Sequence, residues 1–534
     1  MARPWSGERD ALIDAALKMM HAEQLRDLIR TLIPWLDDTA RARLTNEVVE
    51  RAARSSNGWA PSRPSEQRVG EIEAFAAAAR QSGYSDPSEV DDCLQAGIHA
   101  FLARDYAAAA RIFRALLIPI GEAEIDLGQE ELVDEVLGVD LDACATRYVL
   151  AEYMLASPKS RARAVDAAIE AVREVGYFFE PLRSLERLSV EPLPGFDGFL
   201  TQWRVLVEQR VANAKKSDWD RREDRWLREV VARTRGPEGL AELARRSRRS
   251  DDLGAWCRTL VDAGDWTAAR VAYEQAAELV EDREYNLGDF LDGAALAAQE
   301  LASDDLDATL ERAWRQARTM TRLRRWLGGS CTQSDLAERA GLALEAAPAS
   351  AARQRALLHV LRAELGEAAA LLAQARGLGW SNAEHPGYLV FPLFVGLLCG
   401  VEVAIMLPPS DDDLHDEDDL DDEDDVEGWM DADRAKLRTP TIKALLQTAD
   451  VNAPEAAQLR ASMIEAMRAA AQKRIEGVTG SKRRRHYDHA ASLAVQCARA
   501  EGSPEGETWL RELMHQYRRY PALMREFKAA EASG

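Results

Sequence analysis

An all-α protein is what this sequence predicts, built as an α-solenoid of degenerate helical hairpins with a smaller C-terminal helical unit. Three observations predict it. Ala, Leu, Glu and Arg recur at helical spacing along nearly all 534 residues. Alternating β-branched runs, the mark of half-buried strands, hardly occur. An apolar content of 46% over this length can bury large cores and suggests several domains or one extended array. The expected division is a helical cap over 1–68, a repeat body over 69–407, an acidic flexible linker over 408–438 and a C-terminal helical unit over 439–534.

The elements follow in order. MMHAEQLRDLIRTLIPWLDDTARARLTNEVVERAA has the spacing of a short helical cap, and the polar SSNGWAPSRPSEQ after it reads as a connector. LQAGIHAFLARDYAAAARIFRALL carries Gly97, Tyr106, Ala109 and Phe113, and AGDWTAARVAYEQAAELV carries Gly264, Trp266, Ala269, Tyr273 and Ala276. Both segments resemble the tetratricopeptide repeat, in which small and aromatic positions let two antiparallel helices pack closely. Arg104 stands where that family usually turns on glycine. The physical reading is the same without the resemblance: small faces permit close approach, and aromatic side chains fill the groove to the next pair. SRARAVDAAIEAVREVG is a single amphipathic helix ending at Gly176, and RALLHVLRAELGEAAALLAQARGLG pairs two helical patterns around Gly366.

YLVFPLFVGLLCGVEVAIML, from Tyr388 to Leu407, approaches the length of a bilayer span. Pro392, Gly396, Gly400 and Glu402 interrupt it, which fits a buried helix better. Next comes an acidic run: twelve of the fifteen residues from Asp411 to Asp425 are Asp or Glu. Like charges at that density repel one another and keep a chain extended, so the run is expected to be a disordered connector. Beyond it, LRTPTIKALLQTADVNAPEAAQLRASMIEAMRAAAQKRI and the segments after it return to amphipathic helices.

A formal charge of -23 opposes direct binding to nucleic acid or anionic lipid. The opening residues lack the apolar core of a secretory signal, and six widely spaced cysteines form no C-x-x-C pair, so a cytoplasmic location with reduced thiols is expected. The layout resembles the helical region of bacterial SWIM zinc-finger-associated proteins, through WSNAEHPGYLVFPLFVGLL, RRHYDHAASLAV and HQYRRYPALMREF. The C-x-C and C-x-H ligands of that finger have no counterpart here, so no metal or cofactor is expected.

Candidate chemistry is sparse. Thr332, Gln333, Leu336, Ala337, Ala340 and Gly341 resemble the first helix and turn of a Cro-type helix-turn-helix, with Arg322, Arg324 and Arg325 upstream; that resemblance implies a DNA binder. Arg484 and His489 have the R-x4-H spacing of HEPN nucleases, which implies an arginine and a histidine converging on RNA phosphate. Arg485 departs from the polar residue usual after that arginine. P-loop, H-E-x-x-H, G-x-S-x-G and dinucleotide-binding patterns are missing. The expectation is therefore a non-enzymatic scaffold that binds another protein, whether a protease or members of a multi-protein complex. As an alternative, a partner protease cuts the acidic linker, around Asp411, Asp425, Trp429 and Met430, and releases body and C-terminal unit. That layout resembles the protein targets of CRISPR-associated caspase-like peptidases in prokaryotic defence.

Overall fold

The computed structural model describes residues 13, 15–36, 38–55, 59–128, 133, 136–214, 220–281, 283–330, 332–382, 384–400, 435–453 and 455–532. Among them the regular structure is helical throughout, and the lone β-bridge joins Tyr84 to Asp126. The all-α expectation holds. The chain forms two compact units, Met1–Arg246 and Ser247–Gly534. This division falls well inside the stretch expected as one repeat body.

In the first unit, α1 (Ala22–Leu32), α2 (Asp38–Arg54) and α3 (Glu66–Ser82) precede a hairpin of α4 (Pro87–Leu102) and α5 (Tyr106–Gly121). Then come α6 (Leu141–Leu155), α7 (Arg161–Ala171), α8 (Pro181–Leu188), α9 (Phe196–Asn213) and α10 (Arg222–Ser247). The amphipathic pattern expected to reach Gly176 stops being helical at Ala171 and continues in turns. Gly236 bends α10 with φ 59°, and Pro237, which lacks an N–H, begins its second half. A row of buried rings ties the later helices together: Tyr153 meets Phe199 at 5.0 Å, Phe199 meets Trp203 at 5.8 Å, and Trp203 meets Trp226 at 5.5 Å.

The second unit begins with α11 (Ser250–Asp262), α12 (Trp266–Leu279), α13 (Arg283–Glu300), α14 (Leu306–Gln316) and α15 (Met320–Leu327), each packed on the next. It continues with α16 (Gln333–Ala346), α17 (Ala352–Leu361), α18 (Leu365–Gln374) and α19 (Gly387–Cys399). After residue 435 it adds α20 (Ile442–Thr448), α21 (Ala457–Gly480), α22 (Tyr487–Glu501), α23 (Pro504–Gln516) and α24 (Pro521–Ala532). Helix α19 covers the first part of the apolar run beginning at Tyr388, and Gly400, at φ 67°, caps it. No helix among the described residues is long and apolar enough to cross a membrane.

The helices after residue 435 do not form a core of their own. One buried cluster runs from Ala295 and Trp314 through Phe391 and Phe394 to Met467, Ile475, Leu493 and Phe527. Helix α21 packs on α18, and α22 packs on α19. Just past Arg434, Gln299 of α13 accepts from the Arg438 N–H at 2.8 Å and donates to the Lys436 carbonyl at 3.1 Å. The expected C-terminal unit thus keeps its helices but shares its interior with residues 295–398. The acidic run itself lies outside the described residues.

One turn recurs between helices. Arg104, Gly264, Ala302, Ala363 and Lys482 each adopt a left-handed φ between 47° and 70° just past a helix end. In each case the next amide reaches back five residues: Asp105 to Ala100, Asp265 to Leu260, Ser303 to Ala298, Glu364 to His359 and Arg483 to Val478, at 2.8–3.0 Å. This back-bonding satisfies helix carbonyls that would otherwise lack partners. Asp105 and Asp265 then cap the following helix by accepting from Ala108 and Ala268. Four of the five left-handed residues carry a β-carbon that this conformation disfavours.

In the α4–α5 hairpin, a β-carbon on Gly97 would lie 2.8 Å from Phe113 Cε1, and Phe113 is fully buried. Gly97→Ala is therefore expected to cost about 1–3 kcal/mol. Ala363→Gly, which only relieves left-handed strain at an exposed turn, should gain about 0.5–1 kcal/mol. Urea unfolding midpoints check both signs.

Candidate functional site

Two constructions on this fold carry functional potential. The first is an aromatic platform after α7. Gly176 leaves no room for a side chain, because its β-carbon would lie 2.6 Å from Phe178 Cε2. The following three residues form a tight turn, the Phe179 N–H donating to the Tyr177 carbonyl at 3.0 Å. Phe178 points inward and is buried, and its carbonyl accepts from Trp226 Nε1 at 2.6 Å. Tyr177 and Phe179 point outward and stack on each other, with centroids 6.2 Å apart and planes at 12°. They are 62% and 50% exposed. Arg225 lies 4.9 Å from the Phe179 centroid, its Nε donating to Asp220.

Several anchors hold that strip. Asp142 accepts from the Tyr177 N–H at 2.6 Å. Glu229 accepts from the amides of Leu182 and Arg183 at 3.1 and 2.7 Å and so caps α8 from another helix. Burial pushes the Glu229 carboxyl up to about 8, against the pull of these two amides.

The second construction surrounds the start of α22. Trp380, just ahead of α19, packs its ring against His385 at 4.5 Å, Tyr388 at 5.7 Å and His489 at 4.8 Å. Both nitrogens of His385 are engaged: Nε2 donates to the Arg376 carbonyl at 3.1 Å, and Nδ1 accepts from the Gly387 N–H at 3.1 Å. Below them lies Arg474 of α21, 5% exposed, with Nη1 donating to the Gly377 carbonyl at 3.3 Å. Burial lowers the pKa of Arg474, His385 and His486, and the Arg474 charge further lowers both histidines. Burial and then Arg474 push His489 down to about 4, so its ring is neutral at pH 7.

The residues singled out in sequence fall as follows. Arg484 is exposed in the short turn before α22, while His489 lies partly buried one helical turn in. The arginine whose charge bears most on His489 is Arg474, not Arg484. The turn expected at Gly341 is not there: α16 continues through Gly341 to Ala346, and the break before α17 falls at 347–351. Thr332 caps that helix by accepting from Asp335. Arg322 pairs with Asp289 and Asp292, Arg325 pairs with Asp292, and Arg324 is buried, so these side chains are occupied within the fold. Asp411, Asp425, Trp429 and Met430 lie outside the described residues. Among the described residues no group of three or more His, Cys, Asp or Glu is placed to hold a metal ion.

Sequence reasoning passed over Tyr177, Phe179 and Arg474, and met Trp380 and His385 only within WSNAEHPGYLVFPLFVGLL. A usable signal existed for the first two, three aromatic residues between the helix stop at Gly176 and Pro181. Arg474 had none, since an arginine within a long amphipathic helix usually faces water. No protein-family model, no curated protein and no solved structure matches the chain.

The folded chain resists protonating His489, whereas the unfolded chain accepts that proton near pH 6.5. The resulting stability is complete above pH 6.5 and is lost as pH falls toward 4. Between pH 7 and 4, His489 is expected to account for a loss on the order of 2–3 kcal/mol. His489→Gln should flatten the urea midpoint profile in that window, and an unchanged profile would refute the assignment.

Proposed function

We propose that the protein is a non-catalytic adaptor, a solenoid of TPR-like helical hairpins that binds another protein through the Tyr177–Phe179 platform. The single observation behind this reading is the platform itself: two large rings held in solvent by a buried neighbour, a capped helix and an adjacent arginine. Tyr and Arg are enriched at the energetic centres of interfaces, and a strip already rigid loses little entropy on binding. The recurring back-bonded turn supports the hairpin array, because it ends one helix and leads directly into the next. A protein partner also suits the charge of -23, which disfavours polyanions.

Affinity capture from source cells with the wild-type chain and with Tyr177→Ser/Phe179→Ser tests the reading. A specific companion should be retained by the first and lost, by about tenfold or more, from the second. A companion captured equally by both would place binding elsewhere, and none captured by either would sink the adaptor reading.

Regulated cleavage is a second reading, with one change. The observation in its favour is that described, anchored chain lies on both sides of 401–434, in Gly400 and in the Lys436–Arg438 contacts with Gln299. Cutting there does not free the C-terminal helices, because their apolar side chains complete the core of residues 295–398. Each fully buried Leu, Ile, Met or Phe contributes roughly 1.5–3 kcal/mol. A chain cut between 401 and 434 should therefore run as one species in gel filtration and separate only in denaturant. Spontaneous separation of the fragments would contradict the shared core.

A further inference from the structure

Exposed apolar surface is concentrated at the start of the first unit. Of the seventeen large apolar side chains left exposed among the described residues, six lie between residues 13 and 35: Ile13, Leu17, Met19, Leu28, Leu32 and Trp35. The others are scattered from Val48 to Tyr520, with Tyr177 and Phe179 as a pair. Single exposed apolar side chains are ordinary, whereas a cluster within so short a stretch marks a surface that something covers.

Helix α1 is the centre of that cluster, and none of its 11 residues is buried. Leu25, Leu28, Ile29 and Leu32 fall at the i, i+3, i+4 and i+7 positions of one face, while Glu23, Asp27 and Arg30 fall on the opposite face. A helix this short is marginal in water by itself and draws its stability from burying its apolar side. Gln24 accepts from the His21 N–H at 2.9 Å and closes the start of the helix. Its end runs into the turn Ile33–Trp35, which packs on α2. Arg41 of α2 pins that turn by donating to the Ile33 and Leu36 carbonyls at 3.3 and 2.9 Å. The helix is thus capped and tethered, yet its apolar face stays open, and Trp35 beside it is 77% exposed.

Charge and area select the occupant. Glu23 and Asp27 balance Arg26 and Arg30, so this helix is neutral in a chain of formal charge -23. The excess of Lys and Arg that draws an amphipathic helix to anionic lipid is missing. A neutral, apolar face is also where two like-charged chains can meet without adding short-range repulsion. The six exposed side chains offer on the order of 600 Å² per copy, so a symmetric pair would bury about 1,200 Å², the lower end of the range for stable interfaces. We propose that this face is a homodimer interface, the α1 helix and Trp35 of one copy packing on the same residues of a second copy about a two-fold axis. The interface goes beyond the adaptor reading and does not depend on it.

Sedimentation equilibrium of the full chain at micromolar concentration and moderate salt tests the proposal. The wild type should have twice the mass of one chain. Leu28→Glu/Leu32→Glu alters exposed positions only and should halve that mass while circular dichroism shows unchanged helix content. If that variant fails to fold, Trp35→Ser decides, and it should weaken dimerisation by about tenfold or more. Glu23→Ala, on the opposite face, should stay dimeric, and so should Tyr177→Ser/Phe179→Ser, which separates this interface from the adaptor platform. A wild type of single-chain mass throughout, or a dimer that survives the Leu28/Leu32 and Trp35 changes, would overturn the interface. A single-chain wild type that floats with phosphatidylcholine–phosphatidylglycerol vesicles, or that captures another protein only with the face intact, would overturn it too by giving the face a different occupant.

Discussion

The tight packing of the Gly377 loop on α21 is the contact on which the rest of the second unit depends. A β-carbon on Gly377 would run into the Lys473 carbonyl, so the loop after α18 can lie against α21 only with glycine there. Leu378 fills the space above Gly477, and Lys473 reaches back to the Ala373 carbonyl at 2.6 Å. This contact joins chain before the acidic run to chain after it. With it come the docking of α22 on α19 and the single core that spans both segments.

The same contact produces the electrostatics of the second unit. Bringing α21 against the Gly377 loop carries Arg474 into the interior, where it donates to that loop's own backbone. Trp380, three residues on, then closes over His385 and His489. Neutral imidazoles are the physical response: beside a cation that cannot lose its proton, a histidine lowers its own proton affinity instead. The elsewhere abundant pairing of arginines with carboxylates, as at Arg322 with Asp292 or Arg210 with Asp166, makes the unpaired Arg474 stand apart.

The first unit solves a different problem. Its interior row of rings from Tyr153 to Trp226 leaves Phe178 to complete the core, and the tight turn closed by the Phe179 N–H on the Tyr177 carbonyl leaves Tyr177 and Phe179 outside it. Their exposure is thus a consequence of how the core is filled. The hairpin turns show a similar priority of tertiary over local preference. Arg104, Ala302, Ala363 and Lys482 accept left-handed strain because the back-bonded turn and the packing of the paired helices outweigh it.

Helix content, the small and aromatic positions of the α4–α5 and α11–α12 hairpins, and the apolar burial of α19 were all legible in the amino-acid order. Each rests on periodicity or on residues whose backbone preference is intrinsic, and such information is local. The division at residues 246 and 247, the core shared across 401–434, the uninterrupted α16 and the burial of Arg474 were not legible. They depend on which apolar face meets which, a choice among segments a hundred residues apart that no local pattern encodes. Arg484 and His489 make the difference plain: sequence paired them by spacing, whereas packing gave His489 the neighbour it responds to, Arg474, from a separate helix.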